Sequence, residues 1–91
     1  MKILVVDDDP MVLDLLEQHV IRWGFDVYTA QDGREAWARL ESRTIDLVIC
    51  DWVIPGIDGI NLCKKIRSTE FDRYIYFIII SGQNLKSNII K

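Results

Sequence analysis

Four short apolar runs punctuate the chain, separated by stretches in which apolar residues recur every three or four positions. Ile3-Leu4-Val5-Val6, ended by Asp7, predicts a first strand over residues 2–6. Aliphatic and β-branched runs this short, without polar alternation, fit strands buried on both faces of a parallel sheet. From Pro10 the period becomes helical: Val12, Leu15, Leu16, His19 or Val20, and Trp23 supply one apolar face. Asp9 is suited to cap that helix, Pro10 to be its first residue and Gly24 to end it. Phe25 to Thr29 predicts a second strand, and Asp32-Gly33 opens a second helix with Ala36, Trp37 and Leu40 inward. Ile45 to Cys50 predicts the third strand. Asp51 to Asp58, with Pro55 and Gly56, is a loop, and Gly59 begins a third helix with Leu62, Cys63 and Ile66 inward. Ser68 to Arg73 is a polar connection, and Ile75 to Ile80 a fourth strand, apolar throughout. Ser81-Gly82 ends it, and Asn84 to Lys91 starts a further element.

Strands alternating with helices imply an α/β fold with a parallel sheet, right-handed crossovers and helices on both faces. In such a sheet all strand carboxyl ends lie along one edge, where ligands bind. Asp7 and Asp8 follow the first strand and Asp51 the third, so three carboxylates distant in sequence are expected in one shallow pocket. Clustered carboxylates repel, and a hard divalent cation on oxygen ligands relieves them. A carboxylate beside such a cation is also a candidate nucleophile. The plainer reading of Asp7-Asp8-Asp9 is an acidic helix N-terminus favoured by the dipole. That reading leaves Asp51 unexplained.

The 91 residues suffice for one small domain, and 49% hydrophobic with 27% charged content is that of a soluble globular protein. A net charge of −3 argues against a broad basic surface for nucleic acid or anionic lipid. Cys50 and Cys63 sit on apolar stretches and read as reduced, buried thiols, and their spacing fits no zinc pattern. Met1-Lys2 leads directly into a strand, with no signal peptide, and no apolar run nears the roughly 20 residues of a membrane span. A cytoplasmic location with no membrane contact is the expectation.

Four passages, in order and at matching spacing, together resemble the receiver domain of two-component response regulators. They are Ile3-Leu4-Val5-Val6-Asp7-Asp8-Asp9, Ala30-Gln31-Asp32-Gly33-Arg34-Glu35-Ala36, Val48 through Gly59 with Asp51 at its centre, and Ile78-Ile79-Ile80-Ser81-Gly82. The resemblance covers nearly all of the chain. It implies a flavodoxin-like three-layer αβα architecture with strand order 2-1-3-4. It also implies a regulatory domain that accepts a phosphoryl group from a histidine kinase or phosphotransfer protein, not an enzyme turning over a metabolite. By this resemblance Asp51 is the phosphoacceptor. Asp7 and Asp8 organise Mg2+, Asp8 and Asp51 through side-chain oxygens and Asp7 through a water, with the backbone carbonyl of Val53 as a further ligand. Ser81 is the switch hydroxyl, for which an ordinary strand-end hydroxyl is the alternative. Asp9 and Asp58 read as helix caps, His19 as structural, Trp23 and Trp37 as core or helix-packing residues, and Trp52 as lying over the pocket rim. Pro55 and Gly59 shape the loop after the acceptor, Gly59 through backbone freedom.

The chain departs from the family pattern at its end. That pattern continues through a fourth helix, a fifth strand carrying a lysine, and a fifth helix. Residues 1–91 read as the N-terminal portion of a receiver that ends early in the fourth helix, most simply a fragment of a longer regulator. Lys86 and Lys91 come too soon after Ser81 to take the lysine's place. Weaker phosphoryl chemistry is expected, together with self-association through the exposed edge of the fourth strand or a swapped element. Val53, apolar and two residues after the acceptor, gives an attacking water no hydrogen bond, so slow self-dephosphorylation is expected. Two other function classes remain. A phosphate-independent interaction or dimerisation module would ignore Mg2+ and phosphodonor. A metal-dependent phosphohydrolase with Asp51 as nucleophile needs an acid where Val53 stands.

Overall fold

Each of the four apolar runs forms a strand of one parallel sheet, in the order β2-β1-β3-β4 that the resemblance implies. The computed structural model describes residues 1–52, 54 and 56–80, so the expected fourth helix lies outside the described residues. The elements are β1 (Lys2–Val6), α1 (Pro10–Arg22), β2 (Asp26–Ala30), α2 (Gly33–Ser42), β3 (Leu47–Asp51), α3 (Gly59–Arg67) and β4 (Tyr76–Ile80). Asp51 is thus the last residue of its strand.

The continuous hydrophobicity of β1 follows from burial on both faces. Leu4 and Val6 join Ala36, Leu40, Leu62 and Ile66 of α2 and α3 in one core cluster. Ile3 and Val5 join Leu13 and Val20 of α1 in another. Three layers result, with α1 on one side of the sheet and α2 and α3 on the other. No helix among the described residues is long and apolar enough to cross a membrane.

Each helix starts at an aspartate cap, of which the sequence predicts Asp9 and Asp58. Asp9, Asp32 and Asp58 accept from Met11 N at 2.9 Å, Glu35 N at 2.7 Å and Asn61 N at 2.8 Å respectively. Each cap satisfies a backbone donor that the first turn leaves orphaned.

One reading of the pattern needs correction. The buried stripe of α1 is Leu13, Leu16 and Val20, whereas Leu15 and Trp23 are 57% and 66% exposed. Residues 11–16 offer more apolar side chains than one stripe can bury, and the phase is set by how α1 lies over β1 and β2. Trp23 instead meets His19 edge to face at the helix surface. The fourth strand is apolar and exposed: Tyr76 is 60% and Ile78 47% exposed, β4 being the outermost strand among the described residues. Trp37 is a packing residue as expected, edge-on to Phe71 with the Lys65 ammonium over its ring.

Candidate functional site

The register of the sheet sets the site. Val6 pairs with Ala30 on one side and Cys50 on the other, so Asp7 and Asp51 emerge at the same level of the carboxyl edge. The Asp7 N–H donates to Ala30 O at 3.1 Å, which extends the β1–β2 ladder one residue beyond the strand. Oxygens of Asp7, Asp8 and Asp51 all lie within 4.8 Å of one another, as the strand-end argument expects.

The three acids are not equivalent. Asp7 is buried, Asp51 half-buried and Asp8 exposed. Burial pushes the Asp7 carboxyl above the usual carboxylate range, and the charges of Asp51, Asp8 and Asp9 push the same way. One hydrogen bond opposes them: the Asp9 N–H donates to Asp7 Oδ1 at 2.9 Å. A buried carboxylate facing two others is an electrostatic cost that a cation removes.

The donor set fits a hard divalent cation. Oxygens on opposite sides of one Mg2+ lie about 4.2 Å apart, and about 4.8 Å for Ca2+. The cluster therefore has the dimensions of a single ion's shell. Its oxygens are hard donors, and the exposed side of Asp8 leaves room for the waters that Mg2+ retains. Asp58 serves as the cap of α3, while Asp9 caps α1 with its carboxylate and reaches Asp7 through its N–H. The Val53 carbonyl and the Ser81 hydroxyl, expected to complete the site, lie outside the described residues.

The backbone beside Asp51 is held closely. Trp52 N donates to Ile80 O at 2.9 Å, and Gly59 N donates to Trp52 O at 2.8 Å. The Trp52 side chain, next to Asp51 in the chain, is exposed. The Cys50 thiol donates to Asp51 O at 3.1 Å, and burial lifts its pKa to about 12, so it is a packing group and not a nucleophile. Cys63 is also free but only half-buried.

Gly59 plays a different part from the one its sequence suggests. It is an ordinary helical residue, and the loop's left-handed residue is Gly56, at φ 90°. Gly59 is required by space: a Cβ there would sit 2.9 Å from Asp51 O and 3.3 Å from Trp52 Cα. Its absence lets α3 start directly against the end of β3. A second glycine contact carries no local sequence signal: Gly33, the first residue of α2, abuts the Ile57 side chain in the loop after β3.

Comparison with known proteins places this geometry. Residues 3–91 match the response regulator receiver domain family. Over 69 residues, 76% of this chain, the sequence is 46% identical to the alkaline phosphatase synthesis transcriptional regulatory protein PhoP of Bacillus subtilis. Over 90 residues, 99% of this chain, it is 34% identical to the phosphate regulon transcriptional regulatory protein PhoB of Rhizobium meliloti. The chain spans 29% and 40% of the lengths of these two relatives. Among solved structures, the chemotaxis response regulator CheY4 of Vibrio cholerae matches with a TM-score of 0.81 at 26% identity, covering 94% of this chain and 73% of that one. A chain from the crystal structure of histidine kinase ThkA in complex with response regulator protein TrrA matches with a TM-score of 0.81 at 33% identity, covering 99% of this chain and 73% of that one.

Proposed function

Because the chain belongs to the response regulator receiver domain family, we propose that it is a phosphorylation switch whose Asp51 accepts a phosphoryl group from a histidine kinase or phosphotransfer protein. The observation that carries this reading is the meeting of Asp7, Asp8 and Asp51 oxygens within 4.8 Å at one sheet edge. The complex of a response regulator with a histidine kinase among the similar structures supports the class of donor.

In the proposed step an Asp51 carboxylate oxygen attacks phosphorus. A new O–P bond forms while the P–N bond to the donor imidazole breaks, and the imidazole nitrogen takes a proton from solvent. The product is an acyl phosphate on Asp51. A bound Mg2+ supplies charge compensation for the phosphoryl oxygens. By the family resemblance Asp8 and Asp51 would hold it through side-chain oxygens, Asp7 through a water and Val53 through its backbone carbonyl. Strand β3 and the Trp52–Gly59 hydrogen bond hold the Asp51 backbone fixed, so little reorganisation is needed on attack. Ser81 reads the phosphoryl group as a hydrogen-bond donor, and the apolar Val53 leaves the acyl phosphate slow to hydrolyse. The domain acts in the cytoplasm and catalyses only its own phosphorylation and dephosphorylation.

Reductive trapping of the acyl phosphate with borohydride, followed by peptide mapping, tests the assignment. The reading requires conversion of Asp51 alone. Conversion of another carboxylate, or of none after phosphodonor treatment, contradicts it. Among the described residues β4 is the outermost strand, with Tyr76, Ile78 and Ile79 exposed, which favours a second activity, self-association independent of phosphate.

A further inference from the structure

We propose that the junction between β2 and α2, residues 30–33, sets the spacing of the cation pocket although it contributes no ligand. This rests on the reading of Asp7, Asp8 and Asp51 as a cation pocket. On one side the junction holds Asp7, whose N–H donates to Ala30 O at 3.1 Å. On the other it supports the loop that follows Asp51, because Ile57 packs against the bare Cα of Gly33. The junction thus touches both acid-bearing segments of the pocket, Ala30 from the far side of β1 and Gly33 at the loop after β3.

The junction is stiff. Glu35 Oε1 accepts from Gln31 N at 2.7 Å, while Glu35 N donates to Asp32 Oδ1 at 2.7 Å. This reciprocal capping fixes both sides of Gly33. The loop is fixed where it meets α3, through Gly59 N to Trp52 O at 2.8 Å and the Asp58 cap at 2.8 Å. A Cβ on Gly33 would overlap Ile57 Cγ2 and also sit 3.1 Å from Ile57 Cβ and 3.2 Å from Ile57 N. Rotation of the Ile57 side chain relieves the first overlap but not the other two, so the loop backbone itself has to shift. Mg2+ demands near-ideal octahedral geometry at about 2.0–2.1 Å, so displacements of a few tenths of an ångström weaken its binding. Gly33 and Ile57 are therefore positioning residues, acting through the loop on the acids of the pocket.

The test is a MgCl2 titration of the full chain followed by the backbone amide shifts of Asp7, Asp8 and Asp51, with thermal unfolding measured in parallel. Gly33→Ala is expected to raise the Mg2+ dissociation constant about tenfold, the scale of a lost supporting contact around a metal. Ile57→Ala, which leaves a gap, weakens binding less. The double variant, in which the new methyl fills that gap, binds more tightly than either single variant. Gly33→Ala binding Mg2+ as the parent does overturns the inference, whatever its melting temperature. If Gly33→Ala does not fold, the comparison of Ile57→Ala with the double variant decides: tighter binding by the double supports the inference, and equal or weaker binding overturns it. A parent chain that binds no Mg2+ overturns the cation reading and this inference together, a pattern distinct from a parent that binds beside unaffected variants.

Discussion

The backbone N–H of Asp9 donates to Asp7 Oδ1 at 2.9 Å, while the Asp9 carboxylate accepts from Met11 N at the start of α1. One residue thus caps the helix and orients the buried acid of the pocket. The bond offsets only part of what burial costs Asp7, whose pKa remains raised.

That raised pKa sets a pH dependence. Below the unfolded carboxylate value, near pH 3.8, Asp7 is protonated in both states and costs nothing. As pH climbs through that value towards the folded one, the unfolded chain gives up the proton first and the native state loses stability relative to it. At neutral pH the full penalty is present. Asp7→Asn, which keeps an oxygen for the Asp9 N–H, is expected to raise the melting temperature in the presence of a chelator. MgCl2 should then stabilise the parent more than the variant. An Asp7→Asn chain melting below the parent without divalent cations would count against the penalty.

Gly59→Ala forces a methyl against Asp51 O and Trp52 Cα. Both neighbours are backbone atoms of the acceptor segment, so relief requires α3 to move away from β3. Overpacking of this kind costs about 1–3 kcal/mol. Urea unfolding is expected to show a loss in that range, accompanied by slower phosphorylation of Asp51. A variant as stable and as reactive as the parent would show that α3 does not start against the acceptor strand.

The two thiols differ in accessibility. Cys50 is fully buried with a pKa of about 12, whereas Cys63 is half-buried on α3. Maleimide treatment of the native chain followed by intact-mass analysis is expected to give one adduct, mapped to Cys63. Denaturant should be needed for the second. Equal rates at both cysteines would contradict the packing of β3 beneath α3.

Among the described residues β4 is the outermost strand, and its Tyr76, Ile78 and Ile79 side chains are exposed. Strand edges of this kind pair with other chains. Light scattering is expected to report self-association at moderate concentration, and Ile78→Lys should return the chain to monomer. A parent that is monomeric across the concentration range removes the self-association activity from the account.

Much of the site was legible in the sequence because its geometry is topological. Asp7 and Asp51 end apolar runs, and a parallel sheet brings such ends together whatever else varies. The capping roles of Asp9 and Asp58 were legible for a similar reason, since a cap acts on its own helix. What depended on tertiary phase was not. Five apolar side chains within residues 11–16 and Trp23 left the buried stripe of α1 open, and the sheet beneath selected Leu13 over Leu15. Neither the depth of Asp7 relative to Asp8 nor the contact of Gly33 with Ile57 leaves a local pattern, because each arises between segments distant in sequence.

The central claim is that Asp51 accepts a phosphoryl group in a cation-dependent pocket. Intact-mass spectrometry of the chain after incubation with a small-molecule phosphodonor tests it most directly, with and without Mg2+ and beside Asp51→Asn. The account predicts one added phosphoryl group that requires Mg2+ and is absent from the variant. A folded parent that gains none, or an Asp51→Asn chain that gains the same group, would contradict it.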